Sequence, residues 1–163
     1  MRGDISVRDF DPTLDAGWAR SAVEADFGGP LQARRGALID VRALPGLVAE
    51  AGGRPVALLL YDPGATDGEA ELAMLATPVT GAGGGSAVVR ALRDRVPDRP
   101  IRVVTTNDNI EALRFYQRLG FRIREVRVGA VDDARRRLKP ALPLLGRHGI
   151  PLRDEIELVL EPG

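Results

Sequence analysis

Ile5 to Phe10 carries the two-residue period of a strand, and the period then lengthens. Leu14, Trp18 and Ala22 recur at the spacing of one helical face behind a capping residue, Asp11 or Thr13. Gly28-Gly29-Pro30 ends that helix, and Leu31 to Pro45, with Arg34 and Arg35, reads equally as a short helix or a loop. Leu47 to Ala51, Val56 to Asp62 and Glu69 to Ala76 read as strands joined through Gly52-Gly53 and Pro63 to Gly68, which favours an antiparallel meander. A glycine-rich turn leads into a helix at Ala87 to Arg93, and beyond Pro97 and Pro100 the β-branched run Ile101 to Thr106 suits a buried strand. A helix from about Asn109 to Leu119 follows, closed by Gly120 as a left-handed cap, and then a strand from Phe121 to Val128. Val131 to Leu138 is a short, arginine-rich helix. Pro140, Pro143, Gly146, Gly149 and Pro151 make the next connection irregular, and Glu155 to Glu161 resumes alternation with Ile156, Leu158 and Leu160 toward the core. This order of elements predicts an α+β chain with a mixed sheet, in one domain over residues 1–163.

Composition narrows the chemistry. The 163 residues hold 23 Lys+Arg against 23 Asp+Glu, so no bulk field favours nucleic acid or an anionic membrane. With no cysteine there is no disulfide, thiolate nucleophile or thiolate metal site, and the single histidine, His148, forms no histidine cluster; no metal is expected. Met1 to Val7 lacks an apolar leader core, and no run approaches the roughly 20 apolar residues that span a bilayer. The expected compartment is the cytoplasm.

Two segments carry specific chemistry. Thr80-Gly81-Ala82-Gly83-Gly84-Gly85-Ser86 lies between a strand and a helix, where backbone N–H groups unobstructed by side chains and the helix dipole favour a phosphate. No Lys-Ser or Lys-Thr follows, so it is not a Walker A loop, and Ser86 stands where a dinucleotide fingerprint needs its third glycine. A flexible surface turn is the alternative. In the second segment, Asn109-Ile110-Glu111-Ala112-Leu113-Arg114-Phe115-Tyr116, helical geometry puts Asn109 and Tyr116 on one face with the small Ala112 between them. Asp108 with Glu111 also resembles a capping box, and Tyr116 read alone is an ordinary core aromatic.

The two segments together, in this order, resemble the GNAT superfamily of acetyl-coenzyme A (acetyl-CoA) dependent N-acetyltransferases. The glycine turn fits that family's Gln/Arg-x-x-Gly-x-Gly/Ala pattern at Gly83 and Gly85, with Thr80 departing from the Gln/Arg position. Asn109, Ala112, Tyr116 and Gly120-Phe121 match its second motif. The resemblance runs from about Leu47 to the C-terminus and is strongest from Val103 to Phe121. From Val104 to Asn109 and from Gly149 to Glu155 the wording is similar to a bacterial subgroup with no assigned substrate.

The resemblance implies a mixed, mostly antiparallel sheet of about seven strands flanked by helices on both faces. It implies acetyl-CoA as acyl donor, held by Thr80 to Ser86 and by Asn109, Ala112 and Tyr116. A backbone N–H near Leu75 or Ala76 would face the oxyanion, and the pantetheine arm would lie where the Glu69 to Ala76 strand splays from Ile101 to Thr106. Tyr116 would protonate the leaving thiolate. Alternation places Glu69, Glu71, Ala73 and Leu75 on one face, so Glu71 is the candidate base, with a cross-strand charge as its alternative. His148, Asp154 and Glu155 are further candidates.

The expected acceptor is the primary amine of a small molecule. A noncatalytic acyl-CoA binding module and a protein N-terminal acetyltransferase are the alternatives. Relatives of the latter kind often carry a glutamate five positions before the motif asparagine, where this chain has Val104. Leu31 to Pro45 and Gly129 to Arg153 would flank the acceptor groove. Arg135-Arg136-Arg137 either attracts an acidic acceptor or is a solvated helix face. Pairing through the C-terminal strand, common in the family, makes a homodimer the expected assembly.

Overall fold

Leucine, valine and alanine occupy both faces of the central strands, so those strands must be covered on both sides. β4 (Gly46–Ala51), β5 (Arg54–Asp62) and β6 (Ala70–Ala76) form the antiparallel meander, with Leu47, Val48, Leu58, Leu59, Leu72 and Met74 fully enclosed. β1 (Ile5–Asp9) pairs antiparallel to β4. On the other side β7 (Ile101–Thr106) pairs parallel to β6, β9 (Glu155–Leu160) antiparallel to β7, and β8 (Arg122–Arg127) antiparallel to β9. The sheet order is therefore β1-β4-β5-β6-β7-β9-β8, a mixed, mostly antiparallel sheet of seven strands as expected. The computed structural model describes residues 3–27, 30–64 and 67–163. The Gly28-Gly29 helix stop, the Ala65-Thr66 part of the β5–β6 turn and the first two residues lie outside them.

α2 (Gly84–Arg95) and α3 (Ile110–Arg118) cover one face, where Val88, Leu92 and Tyr116 meet Leu47, Leu59, Leu72 and Val103. α1 (Ala16–Phe27) covers the other, with Ala19, Ala22 and Val23 against Val48, Leu58, Leu60 and Met74. α4 (Ala130–Arg137) lies beside the hairpin described next.

Four expectations need correction. Leu31 to Pro45 is neither helix nor loop: β2 (Leu31–Arg34) and β3 (Ala37–Asp40) form a two-stranded hairpin, followed by a single 3-10 turn at Val41–Ala43. Arg35 and Gly36 turn it with positive φ of 50° and 76°. Leu14 precedes α1 and is 79% exposed; Asp11 caps that entry turn by accepting from the N–H of Thr13 and Leu14. The alternation in β6 breaks because Leu60 pairs with Met74 and Tyr61 with Leu72, which leaves Ala73 as a bulge. One extra residue reverses which side chains face which way, so Glu71 and Leu75 lie on opposite faces. Finally, β9 is an interior strand and β8 is the edge; Ile156, Leu158 and Leu160 do face the core.

The start of the chain is fastened by a half-buried ion pair. Asp15, 4% exposed, accepts two hydrogen bonds of 2.8 Å from Arg8 and one from its own turn at Asp11 N–H. The guanidinium holds the Asp15 carboxyl below its ordinary range, against the opposing effect of burial. A depressed folded-state pKa stabilises above the unfolded carboxylate range, and that contribution is lost as pH falls through the folded value. Asp15→Asn is expected to lower stability by about 2 kcal/mol at neutral pH and to flatten the acid side of the Tm-against-pH curve. Thermal melts of both proteins between neutral and acid pH check this.

Candidate active site

The site begins where two strands part. β6 and β7 are paired through Ala70–Ile101, Glu71–Arg102 and Leu72–Val103 and no further, although β6 continues to Ala76 and β7 to Thr106. Beyond Leu72 the β6 backbone pairs only with β5, so its β7-facing N–H and C=O groups line an open fork. Leu75 and Ala76 lie on the β6 arm, packed into opposite faces of the sheet. The Ala73 bulge sits at the branch point.

Downstream of β6 the glycine turn lines a cleft of about 680 Å³. Gly83 caps α2 with φ 83° and no side-chain hydrogen bond, leaving the first-turn N–H groups free for a ligand. Gly84 permits close packing: a Cβ there would lie 2.8 Å from Val56 Cγ2 and 3.1 Å from Ala57 Cβ, so α2 starts directly on β5. A Cβ on Gly85 would come within 3.3 Å of Phe115 Cζ, which lets α3 close the cleft. Thr80, Gly81, Gly83, Gly84, Gly85 and Ser86 all line it; Ala82 packs toward the core instead.

Sequence reasoning missed the cleft's charge. Arg90 of α2 and Arg114 and Arg118 of α3 line it, and none of the three is ion-paired among the described residues. Arg114 and Arg118 are one helical turn apart, a spacing that puts both on one face. That signal was available but looks like any solvated helix. An uncapped helix N-terminus facing three unpaired guanidiniums is suited to a phosphorylated ligand.

The Thr106 to Asn109 segment is a junction. Asn107 accepts from the N–H groups of Arg153 and Asp154 at 3.1 and 3.0 Å and donates to the Pro151 carbonyl. Asp108 accepts from Thr106 Oγ1 and from Arg147 N–H, and Gly146 packs against it with no room for a Cβ. Asn109 is the N-cap of α3, its Oδ1 accepting from Ala112 N–H at 3.2 Å. The cap is thus Asn109 rather than Asp108, and the asparagine amide caps the helix instead of lining its face beside Tyr116. Neither Asn109 nor Ala112 lines the cleft; Ala112 packs against the core. These bonds tie together the two stretches, Val104 to Asn109 and Gly149 to Glu155, in which the subgroup resemblance lies. Gly120 has φ 100°, as its role in ending α3 requires.

Tyr116 is buried, its ring centroid 5.2 Å from those of Phe115 and Phe121. Burial pushes its phenol well above the ordinary tyrosine range, and the positive charge of Arg34 opposes that shift. The hydroxyl therefore stays protonated at physiological pH. It makes no hydrogen bond among the described residues.

Glu71 does not present a free carboxylate. It is 5% exposed and lies between two arginines: Arg34 Nη1 donates to Oε1 at 2.9 Å and Arg102 Nη2 to Oε2 at 3.0 Å. The other acidic candidates are also engaged. Glu155 accepts from Arg127 Nε and from Arg35 N–H, and Asp154 accepts from Gly129 N–H. His148 Nε2 is 2.6 Å from Glu111 Oε1. Arg124 bonds Glu69 and Glu157 and holds the Glu69 carboxyl below its ordinary range. Arg135 braces the C-terminal connection through the carbonyls of Leu142, Pro143 and Leu152, while Arg136 and Arg137 pair with Asp133.

A family model, the acetyltransferase (GNAT) family, matches residues 10–121, more than half of the sequence. The chain belongs to the GNAT family. This GNAT chain is 40% identical over 94 residues to the uncharacterized protein YxbD of Bacillus subtilis strain 168, a stretch covering 56% of this chain and 58% of that protein. The chain spans just over half the length of the curated relatives it matches. Among solved structures it is similar to an IAA acetyltransferase from Bacillus cereus ATCC 14579, with TM-score 0.73, 18% identity, and 97% and 99% of the two chains covered. It is also similar to a Bacillus subtilis acetyltransferase in complex with CoA, with TM-score 0.66, 17% identity, and 97% and 99% covered. Those identities establish the fold. No helix among the described residues is long and apolar enough to cross a membrane.

Proposed function

We propose that this GNAT protein transfers the acetyl group of acetyl-CoA to a primary amine of a small molecule, by direct attack and without a covalent enzyme intermediate. The observation that carries the reading is the continuity of fork and cleft: the β6 arm that opens at Leu72 runs through Thr77 into the uncapped N-terminus of α2. Free strand groups suit the amides of a pantetheine arm, and the glycine turn with Arg90, Arg114 and Arg118 suits its phosphates. These arginines also offset the departure at Thr80, because they supply from the helices the cation that the turn itself lacks.

In the proposed step the amine nitrogen bonds to the thioester carbon and the carbonyl electrons move onto oxygen, facing a β6 N–H near Leu75 or Ala76. The C–S bond then breaks, the thiolate takes the Tyr116 proton, and solvent restores that proton. Since Glu71, Asp154 and Glu155 are all engaged, the amine enters neutral and its surplus proton leaves through water. Residues 1–163 act as one catalytic domain in this reading. Pairing of two copies, if it uses a C-terminal strand, falls to β8, whose Ile123 and Val126 are each 50% exposed.

Thiol release from acetyl-CoA, measured across small amines and peptide N-termini, tests the proposal. Release with small amines supports it. Release with peptides alone favours a protein N-terminal acetyltransferase, and binding without release favours a noncatalytic module. Arg114→Ala/Arg118→Ala is expected to weaken CoA binding about 30-fold, with a shallower dependence on salt, because two phosphate-facing cations are lost. Calorimetry at two ionic strengths reads both effects.

A further inference from the structure

The geometry points to Arg34 as the positioning residue that fixes the β6 bulge at the branch of the fork, and with it the backbone donor that faces the acyl carbonyl. This rests on the acyltransfer reading above. Arg34 comes from β2, outside the sheet that holds the fork, yet it is only 5% exposed. Its Nη1 donates to the Ala73 carbonyl at 2.7 Å as well as to Glu71, and its Nη2 donates to Gln32 Oε1.

Ala73 is the residue that the β5–β6 ladder skips and the first beyond the last β6–β7 pair. The register places no β5 or β7 residue opposite it, and an unbonded backbone carbonyl in a buried sheet is costly. Arg34 supplies a donor to that carbonyl. The bulge reverses the phase of every residue after it, so the aim of the Met74, Leu75 and Ala76 backbone depends on the bulge being held.

Arg34 is in turn held by Glu71, which Arg102 of β7 grips from the other side. The chain Arg34–Glu71–Arg102 thus joins the hairpin, the β6 arm and the β7 arm at the branch. The positive charge of Arg34 also acts on the phenol of Tyr116, which packs from the opposite face of the sheet. Bulge, fork and phenol therefore converge on this guanidinium. Glu71, the base candidate from sequence, becomes the counter-ion that aims Arg34.

A backbone donor aimed at a carbonyl oxygen weakens the C=O bond, which vibrational spectroscopy reads directly. The test compares wild type, Arg34→Ala and Arg34→Lys, with isotope-edited infrared spectra of bound [1-¹³C]acetyl-CoA and calorimetric Kd values for CoA and acetyl-CoA. In wild type the carbonyl stretch should lie below that of free acetyl-CoA. In Arg34→Ala it should return to the free position, while CoA affinity stays within about twofold because the phosphate cleft is a separate subsite. Methylguanidinium should restore the shift. Arg34→Lys, which keeps the charge on Glu71 but cannot reproduce the guanidinium fork, should show most of the loss and carries the test if Arg34→Ala does not fold.

A lowered stretch that persists in both variants overturns the inference, as does a parallel fall in CoA and acetyl-CoA affinity with no change in the carbonyl. Failure of wild type to bind acetyl-CoA at all would overturn the acyltransfer reading, and this inference with it.

Discussion

Tyr116→Phe is expected to lower acetyl transfer by about 100-fold while leaving the Kd for acetyl-CoA and the melting temperature nearly unchanged. Three features of the phenol lead there. Its hydroxyl has no hydrogen-bond partner among the described residues, so removing the oxygen orphans no buried group. The phenylalanine ring keeps the edge contacts with Phe115 and Phe121 that pack α3 onto the sheet. Burial holds the phenol protonated through the physiological range, the state a donor to a leaving thiolate needs. Single-turnover thiol release with an accepted amine, set beside calorimetry, separates the two effects. Equal rates for the two proteins would assign Tyr116 to packing alone and remove the general acid from the mechanism.

Glu71→Gln is expected to lower stability by about 3 kcal/mol. The carboxylate is enclosed between Arg34 and Arg102, both about 5% exposed, and neutralising it leaves two buried guanidiniums facing each other without their shared counter-ion. Asp67 also bonds Arg102, but Asp67 is itself half-solvated and compensates only in part. Urea unfolding curves measure the loss. A general base would behave differently: the amide, similar in shape, would leave stability intact and abolish the basic form in the pH–rate profile. A stable Glu71→Gln protein whose pH–rate profile has lost its basic form would therefore restore Glu71 as the base.

The contrast between these two residues shows what periodicity reveals. The apolar runs that predict β4, β5, β6 and β7 are legible because burial on both faces demands them, and Gly120 is legible because only a positive φ ends α3 there. The glycine turn was readable for the same reason: its backbone conformation and close packing are properties of the residues themselves. The β2–β3 hairpin was not. Its strands are four residues each, Leu31 and Leu38 are over 40% exposed, and charges rather than an apolar stripe fasten it to the sheet through Arg34 and Arg35.

Charge also misled the reading of β9. Glu155 and Glu157 alternate as outward positions should, yet both are buried because arginines from β8 and the hairpin cover them. The Ala73 bulge left no trace in the pattern of β6, since a tertiary contact from Arg34 holds it. Likewise Arg90, Arg114 and Arg118 look solvated until the fold turns them toward one cleft.

If the fork and the glycine-lined cleft form one acyl-CoA site, calorimetric titration with acetyl-CoA, its desulfo analogue and dephospho-CoA reads both halves at once. Binding of acetyl-CoA should be micromolar, retained by the desulfo analogue because strand pairing and phosphate contacts survive loss of the sulfur, and weakened for dephospho-CoA because the arginine-lined cleft loses a phosphate. No heat of binding at millimolar acetyl-CoA would contradict it, leaving a GNAT fold whose cleft serves another ligand.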